Sequence, residues 1–155
     1  MNTNSVFPNS QNLYERDFHL WVKTNTQLLK NHRFHEVDWQ NLIEELDSMG
    51  KREKRELKSR LIVLIEHLLK LKYWETERAA NARVWRITAI EQRRQMQLLL
   101  EDSPSLETLL PNLFPDCYQK ARQDTFQKYQ LPENQFPSDP AFDVKEALNS
   151  DFLIE

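Results

Sequence analysis

The chain carries one cysteine in 155 residues, too few for a cysteine metal cluster or a Cys-pair redox site, so the candidate metal ligands are its acidic side chains and four histidines. His32 and His35, with Glu36 and Asp38 close by, could ligate a divalent ion, since His-x-x-His can face one way on a turn. They lie in a connector without a cysteine or third histidine nearby, so solvated loop histidines are expected. Glu44-Glu45-x-Asp47 and Glu53-x-x-Glu56 have the spacing of acidic helical motifs that hold Mg²⁺ in all-α nucleotide hydrolases, but no second Glu-x-x-Asp stands on a partner helix. None of the glutamates is followed by histidine three residues later, which removes the di-iron bundle pattern. No metal or cofactor is therefore expected.

Polar residues inside apolar helical stripes are the more informative set, because burying one without a partner costs kilocalories. Asp17 lies on the Tyr14/Trp21/Leu28 face, Arg60 and His67 flank the Leu57/Leu64/Leu71 face, and Gln92 and Arg93 do the same further on. Such a cluster would either line a small pocket or form a network that fixes helix register, and the network is the expectation. Arg83, Arg86, Arg93 and Arg94 around Trp85 could hold phosphates and stack on a base. Trp85 falls in the buried stripe, which spoils the stacking half. Glu44, Glu45, Arg83 and Arg86 remain as a candidate binding surface. Cys117 sits on an apolar helix face with no basic partner and reads as core filler.

The elements that position these residues are helices. Few turn formers and a middle rich in Leu, Glu, Lys, Arg and Gln predict an all-α protein. Residues 1–12 read as a disordered tail and 13–155 as one domain. Tyr14, Phe18, Trp21, Asn25 and Leu28 predict a first helix over 13–31. Asp38 caps a second, whose stripe runs Trp39, Leu42, Ile43, Leu46, Met49. Ending that helix at Gly50 would leave Glu44, Glu45 and Asp47 at its negative pole and start the next with Lys51, Arg52, Lys54 and Arg55 at its positive pole. Leu46 and Leu57 also share a face, so one long helix over 38–72 is expected, with Gly50 as a packing notch on the inner stripe and a break there as the alternative. Further helices are expected over 79–101 and 115–129, then a proline-rich connector and a short helix opened by an Asp143/Glu146 capping box. Trp21, Trp39 and Trp85 are expected to be structural.

Charge is unevenly distributed. Residues 1–50 hold 4 Lys/Arg against 7 Asp/Glu, residues 51–100 hold 13 against 6, and residues 101–155 hold 4 against 11. A basic middle could meet nucleic acid. The favoured reading is that the acidic last third folds back over it. The opening "MNTNSVFPNSQN" lacks an apolar core, and "LIVLIEHLLKL" is too short and too charged to span a bilayer, so no membrane association and a cytoplasmic location are expected.

The strings "YERDFHLW", "DWQNLIEELDSMGKREKRELKSRL", "IEHLLKL", "VWRITAIEQRR" and "LLEDSPSL" resemble the family catalogued as domain of unknown function twenty-nine, common in cyanobacteria, from about Tyr14 to Leu153. Asp17, Trp21, Asp38, Glu44, Glu45, Gly50, Arg60, His67 and Trp85 match its motif positions. The resemblance implies a helical bundle with no assigned activity and supplies no roles for these residues. The combined expectation is a bundle of about four principal helices with a long central one and a C-terminal arm. It would act as a non-catalytic binding or regulatory module on a protein partner, with homo-oligomerisation open. A metal-dependent hydrolase or nuclease, or a nucleic-acid binder, is the alternative.

Overall fold

The alternation of short apolar stripes with capping residues is realised as six α-helices in a computed structural model that describes residues 10–153, with side chains from residue 13. They are α1 (Ser10–Arg16), α2 (Phe18–Lys30), α3 (Trp39–Tyr73), α4 (Glu75–Asp102), α5 (Leu110–Tyr129) and α6 (Val144–Leu148). The described residues contain no strand, and the protein is an all-α helical bundle. The expected tail at 1–12 falls mostly outside the described residues, and α1 already begins at Ser10. The chain divides into two compact units, one up to Lys51 and one from Arg52 on.

In the first unit the expected single helix over 13–31 is broken at Asp17. Its side chain turns back to accept from the Leu20 N–H at 3.0 Å, capping α2. An edge-and-stack cluster of Tyr14, Phe18 and Trp21 bridges the break. Asp17 is therefore exposed, which corrects its expected burial: the cap faces water. At the other end of α2, the Arg33 N–H reaches the Leu28 carbonyl at 2.9 Å, with His32 in the left-handed region at φ 56°. This is a Schellman closure with histidine where glycine is usual. His32 is thus spent on a turn. Inside, Asp38 is a buried hub. It accepts from the Trp21 indole N–H (3.0 Å) and the Asn41 amide (2.8 Å), while its own N–H donates to Asn25 (2.9 Å).

The helix that starts at Trp39 runs unbroken through Gly50 to Tyr73, as phase and terminal charge require. The notch reading of Gly50 does not hold. A methyl group built there would meet nothing within 4 Å, and the residue is exposed. Trp39, expected to be structural, is exposed as well, its indole N–H donating to the Phe34 carbonyl at 2.7 Å. Both corrections share a cause: the apolar stripe of the first turns of α3 is uncovered.

In the second unit, Leu57, Leu61, Leu64, Ile65, Leu68 and Leu69 are fully buried and supply the core. Trp85, Ala89 and Met96 of α4 and Phe114, Cys117, Tyr118 and Ala121 of α5 close on them. Only Trp74 separates α3 from α4, so α4 begins at Glu75, ahead of the expected start at 79. The Arg78 guanidinium donates to the Lys72 carbonyl at 2.8 Å, satisfying one of the carbonyls freed at the end of α3. α5 starts five residues earlier than expected, at Leu110 rather than 115, because Pro111 lies in its first turn, where no intrahelical N–H is needed, and Pro115 is carried inside. The arm after Tyr129 brings Phe136 and Phe142 into the core and ends in α6, with the expected Asp143/Glu146 capping box in place.

Candidate functional site

The two charges that interrupt the most apolar run of the sequence, Glu66 and Lys70, are both buried, with 4% and 3% of their side-chain surface exposed. One helical turn apart on α3, they sit 3.9 Å from each other. Both carboxylate oxygens of Glu66 also accept from Lys128 of α5, at 3.0 and 3.2 Å. The Lys70 ammonium lies 5.3 Å from the centre of the Trp85 ring and 5.2 Å from that of Tyr129, and it donates to the Tyr129 hydroxyl at 3.4 Å. Trp74 stacks on Trp85 and meets Tyr129 edge-on, completing an aromatic box around the cation. α5 ends there because Gln130 turns left-handed at φ 51°. The pairing offsets what would otherwise be a large desolvation cost for each ion.

His67 lies beside this group, but its ring bonds within its own helix. Nδ1 is 2.7 Å from the Val63 carbonyl, and because a carbonyl only accepts, Nδ1 carries the proton. Burial pushes the His67 pKa below its ordinary value, and the nearby lysines 70 and 128 add to that against the Val63 bond and Glu66. Lys128 is raised, first by its bond to Glu66. Chemically the box holds one cation against one carboxylate and two ring faces, with each charged group engaged. That arrangement orders three helices.

The other sequence-nominated residues separate. Arg60 donates to Gln92 at 3.4 Å and approaches Glu56 at 3.5 Å, so that pair is brought together. Both line a groove of about 420 Å³ with Arg52, Arg55 and Ser59. Arg93 is buried and faces the C-terminal arm: Nε donates to the Ala147 carbonyl (2.8 Å) and Nη2 to that of Phe152 (2.9 Å). Its side chain also borders a groove of about 570 Å³ lined by Ile90, Arg94, Gln97 and Leu148. In the candidate surface, Glu45 accepts from the Tyr14 hydroxyl at 2.8 Å, Glu44 and Arg83 are exposed, and Arg86 is half-buried. Trp21 and Trp85 are buried. Among the described residues no three His, Cys, Asp or Glu side chains gather where they could hold a metal ion. None of the described helices is long and apolar enough to cross a membrane.

Sequence reasoning passed over Glu66, Lys70, Lys128 and Tyr129. The signal was available: two opposite charges four residues apart within an apolar run must share one face and be buried together.

A family model described as a domain of unknown function, DUF29, matches residues 13–153, nearly the whole chain. The chain belongs to the DUF29 family. Neither a curated protein nor a solved structure matches it. For this DUF29 protein the function must therefore be argued from its own surfaces.

Proposed function

We propose that this DUF29 protein is a single-domain, non-catalytic binding module that works through a protein partner, in the cytoplasm, where a lone buried cysteine is at home. One observation carries the reading. Trp39, Ile43, Leu46 and Met49 stand on one face of the first turns of α3 and are 45%, 62%, 59% and 52% exposed. Scattered apolar residues on a surface need no explanation, but a contiguous helical stripe of large ones marks an interaction surface. Helix-in-groove recognition uses such i, i+3, i+4 and i+7 anchors. The buried ion and aromatic box supports the same reading from the other side, since its groups are spent on one another.

The test is a photo-crosslinking residue in place of Leu46, expressed in the native host. An adduct to a different polypeptide is expected, lost when Ile43→Glu is added while the melting temperature is kept. No adduct, or a collapse of the fold in Ile43→Glu, overturns the reading. The nucleic-acid alternative keeps one observation in its favour, the groove bordered by Arg52, Arg55 and Arg60. It predicts salt-sensitive binding of a short DNA duplex that weakens in Arg55→Ala.

A further inference from the structure

A second uncovered stripe lies on the outer face of α4. Val84, Ile87 and Leu98 are 61%, 57% and 49% exposed, and with Glu91 and Arg94 they recur at steps of three and four, so all five share one face. Apart from Val84, whose mirror position is Glu101, the order of types along that face is symmetric about the Gln92–Arg93 peptide. Ile87 is as far before that point as Leu98 is after it, Glu91 mirrors Arg94, and Arg83 mirrors Asp102. Within the chain Arg94 reaches Glu91 at 3.1 Å and Gln95 donates to it at 2.9 Å, and the Arg94 and Glu91 side chains stay 65% and 46% open to water.

We propose that this face binds a second copy of the chain, α4 against α4 and antiparallel, about a two-fold axis at the Gln92–Arg93 peptide. Laid that way, each Ile87 packs on Leu98 of the other copy. Each Glu91 meets the other Arg94, giving a central ring of two carboxylates and two guanidinia, and each Arg83 meets the other Asp102 at the rim. An isologous contact requires this self-complementarity. Parallel packing would set Glu91 on Glu91 and Arg94 on Arg94, so charge selects the antiparallel orientation. From Ile87 to Leu98 the contact is about 17 Å long. One helix pair of that length buries less than the roughly 1,200 Å² of a standard interface, so a weak dimer is expected, with Kd on the order of 10 μM or above. This face is on a different helix from the proposed partner surface, and the two proposals stand or fall separately.

Sedimentation equilibrium of the full chain, from about 1 to several hundred μM, reads the result at a scale set by interfaces of this size. Wild type should move from monomer to dimer. Glu91→Arg alone and Arg94→Glu alone should each weaken association at least tenfold, because each makes the central ring a single sign. An equimolar mixture of the two variants should restore it, because one copy then carries only cations and the other only anions. Neither exchanged side chain is buried, so circular dichroism should show both variants folded. Ile87→Glu should abolish association in wild-type charge background. A wild type that stays monomeric throughout overturns the proposal. So do folded single variants that associate as well as wild type, or a mixture that fails to associate.

Discussion

Replacing each member of the buried ion pair separately gives unequal losses whose order follows from the geometry. In Glu66→Gln the carboxylate is lost, and Lys70, with 3% of its side chain exposed, keeps a charge that cannot reach water. It retains the two ring faces and the Tyr129 hydroxyl. Breaking a buried pair from this side costs about 3–5 kcal/mol. In Lys70→Met the apolar stem is kept and Glu66 still has Lys128 on both oxygens at 3.0 and 3.2 Å, a partner whose own side chain is 56% exposed. The loss is then two cation–π contacts, about 1–2 kcal/mol each when desolvated, partly recovered because the cation's own desolvation cost disappears. Roughly 1–2 kcal/mol net is expected. At roughly 2–4 °C per kcal/mol for a chain of this size, Glu66→Gln should lower Tm by on the order of 10 °C and Lys70→Met by about a third of that. Urea unfolding at pH 7, followed by helix signal, separates the two. Lys70→Met costing as much as Glu66→Gln would refute the assignment of Lys70 as the ion that depends on its partner.

Gly50→Ala should stabilise by about 1 kcal/mol in urea unfolding, the helix-propensity difference at a position where the added methyl meets nothing; a loss would show that something packs there. Asp17→Ala should cost about 1 kcal/mol as a lost helix cap and Asp17→Asn next to nothing, since asparagine caps as well; an Asn variant as poor as the Ala one would contradict the cap. Burial lowers the His67 pKa below its unfolded value of about 6.5, so the unfolded state binds the extra proton. Its contribution is whole above pH 6.5 and is lost as pH falls through the folded pKa, so wild type should lose more stability than His67→Gln between about pH 7.5 and 5. Equal slopes for the two proteins would remove His67 from the acid response.

The long third helix was legible because phase and charge agree along it. Leu46, Leu57, Leu61 and Leu64 hold one face, and a break at Gly50 would have put the wrong charges at both new ends. Periodicity identifies the apolar face of a helix, but coverage of that face depends on neighbours that a pattern does not encode. Gly50 and Trp39 were placed inside for that reason, and the same limit hid Ile43, Leu46 and Met49 as surface. Asp17 shows a second ambiguity. A residue in phase with Tyr14 and Trp21 reads as inward, yet a short carboxylate can end a helix at the same position. Glu66 and Lys70 look like interruptions of an apolar run and are a pair inside it. In α5, Pro111 and Pro115 look like breaks because proline is costly in a helix interior; Pro111 escapes that cost in the first turn, and Pro115 is carried inside the helix.

The arm that follows α5 buries Phe136, Phe142 and Ala147, and between these anchors it is held by its main chain. Arg93 takes the carbonyls of Ala147 and Phe152, Arg122 those of Phe136 and Glu133, Tyr118 that of Pro137, and Gln119 that of Ser138. A carbonyl is present whatever the side chain, so these donors register where the backbone passes and ignore which residue passes there. Substitutions at exposed arm positions such as Glu133, Ser138 and Asp151 should be nearly silent, whereas deleting or inserting one residue between Ala147 and Phe152 should shift every later carbonyl out of reach of Arg93. Outside the buried Phe136, Phe142 and Ala147, a mutational scan along this segment would meet tolerance of spelling and intolerance of length, with the remaining unforgiving positions lying on the helices that donate.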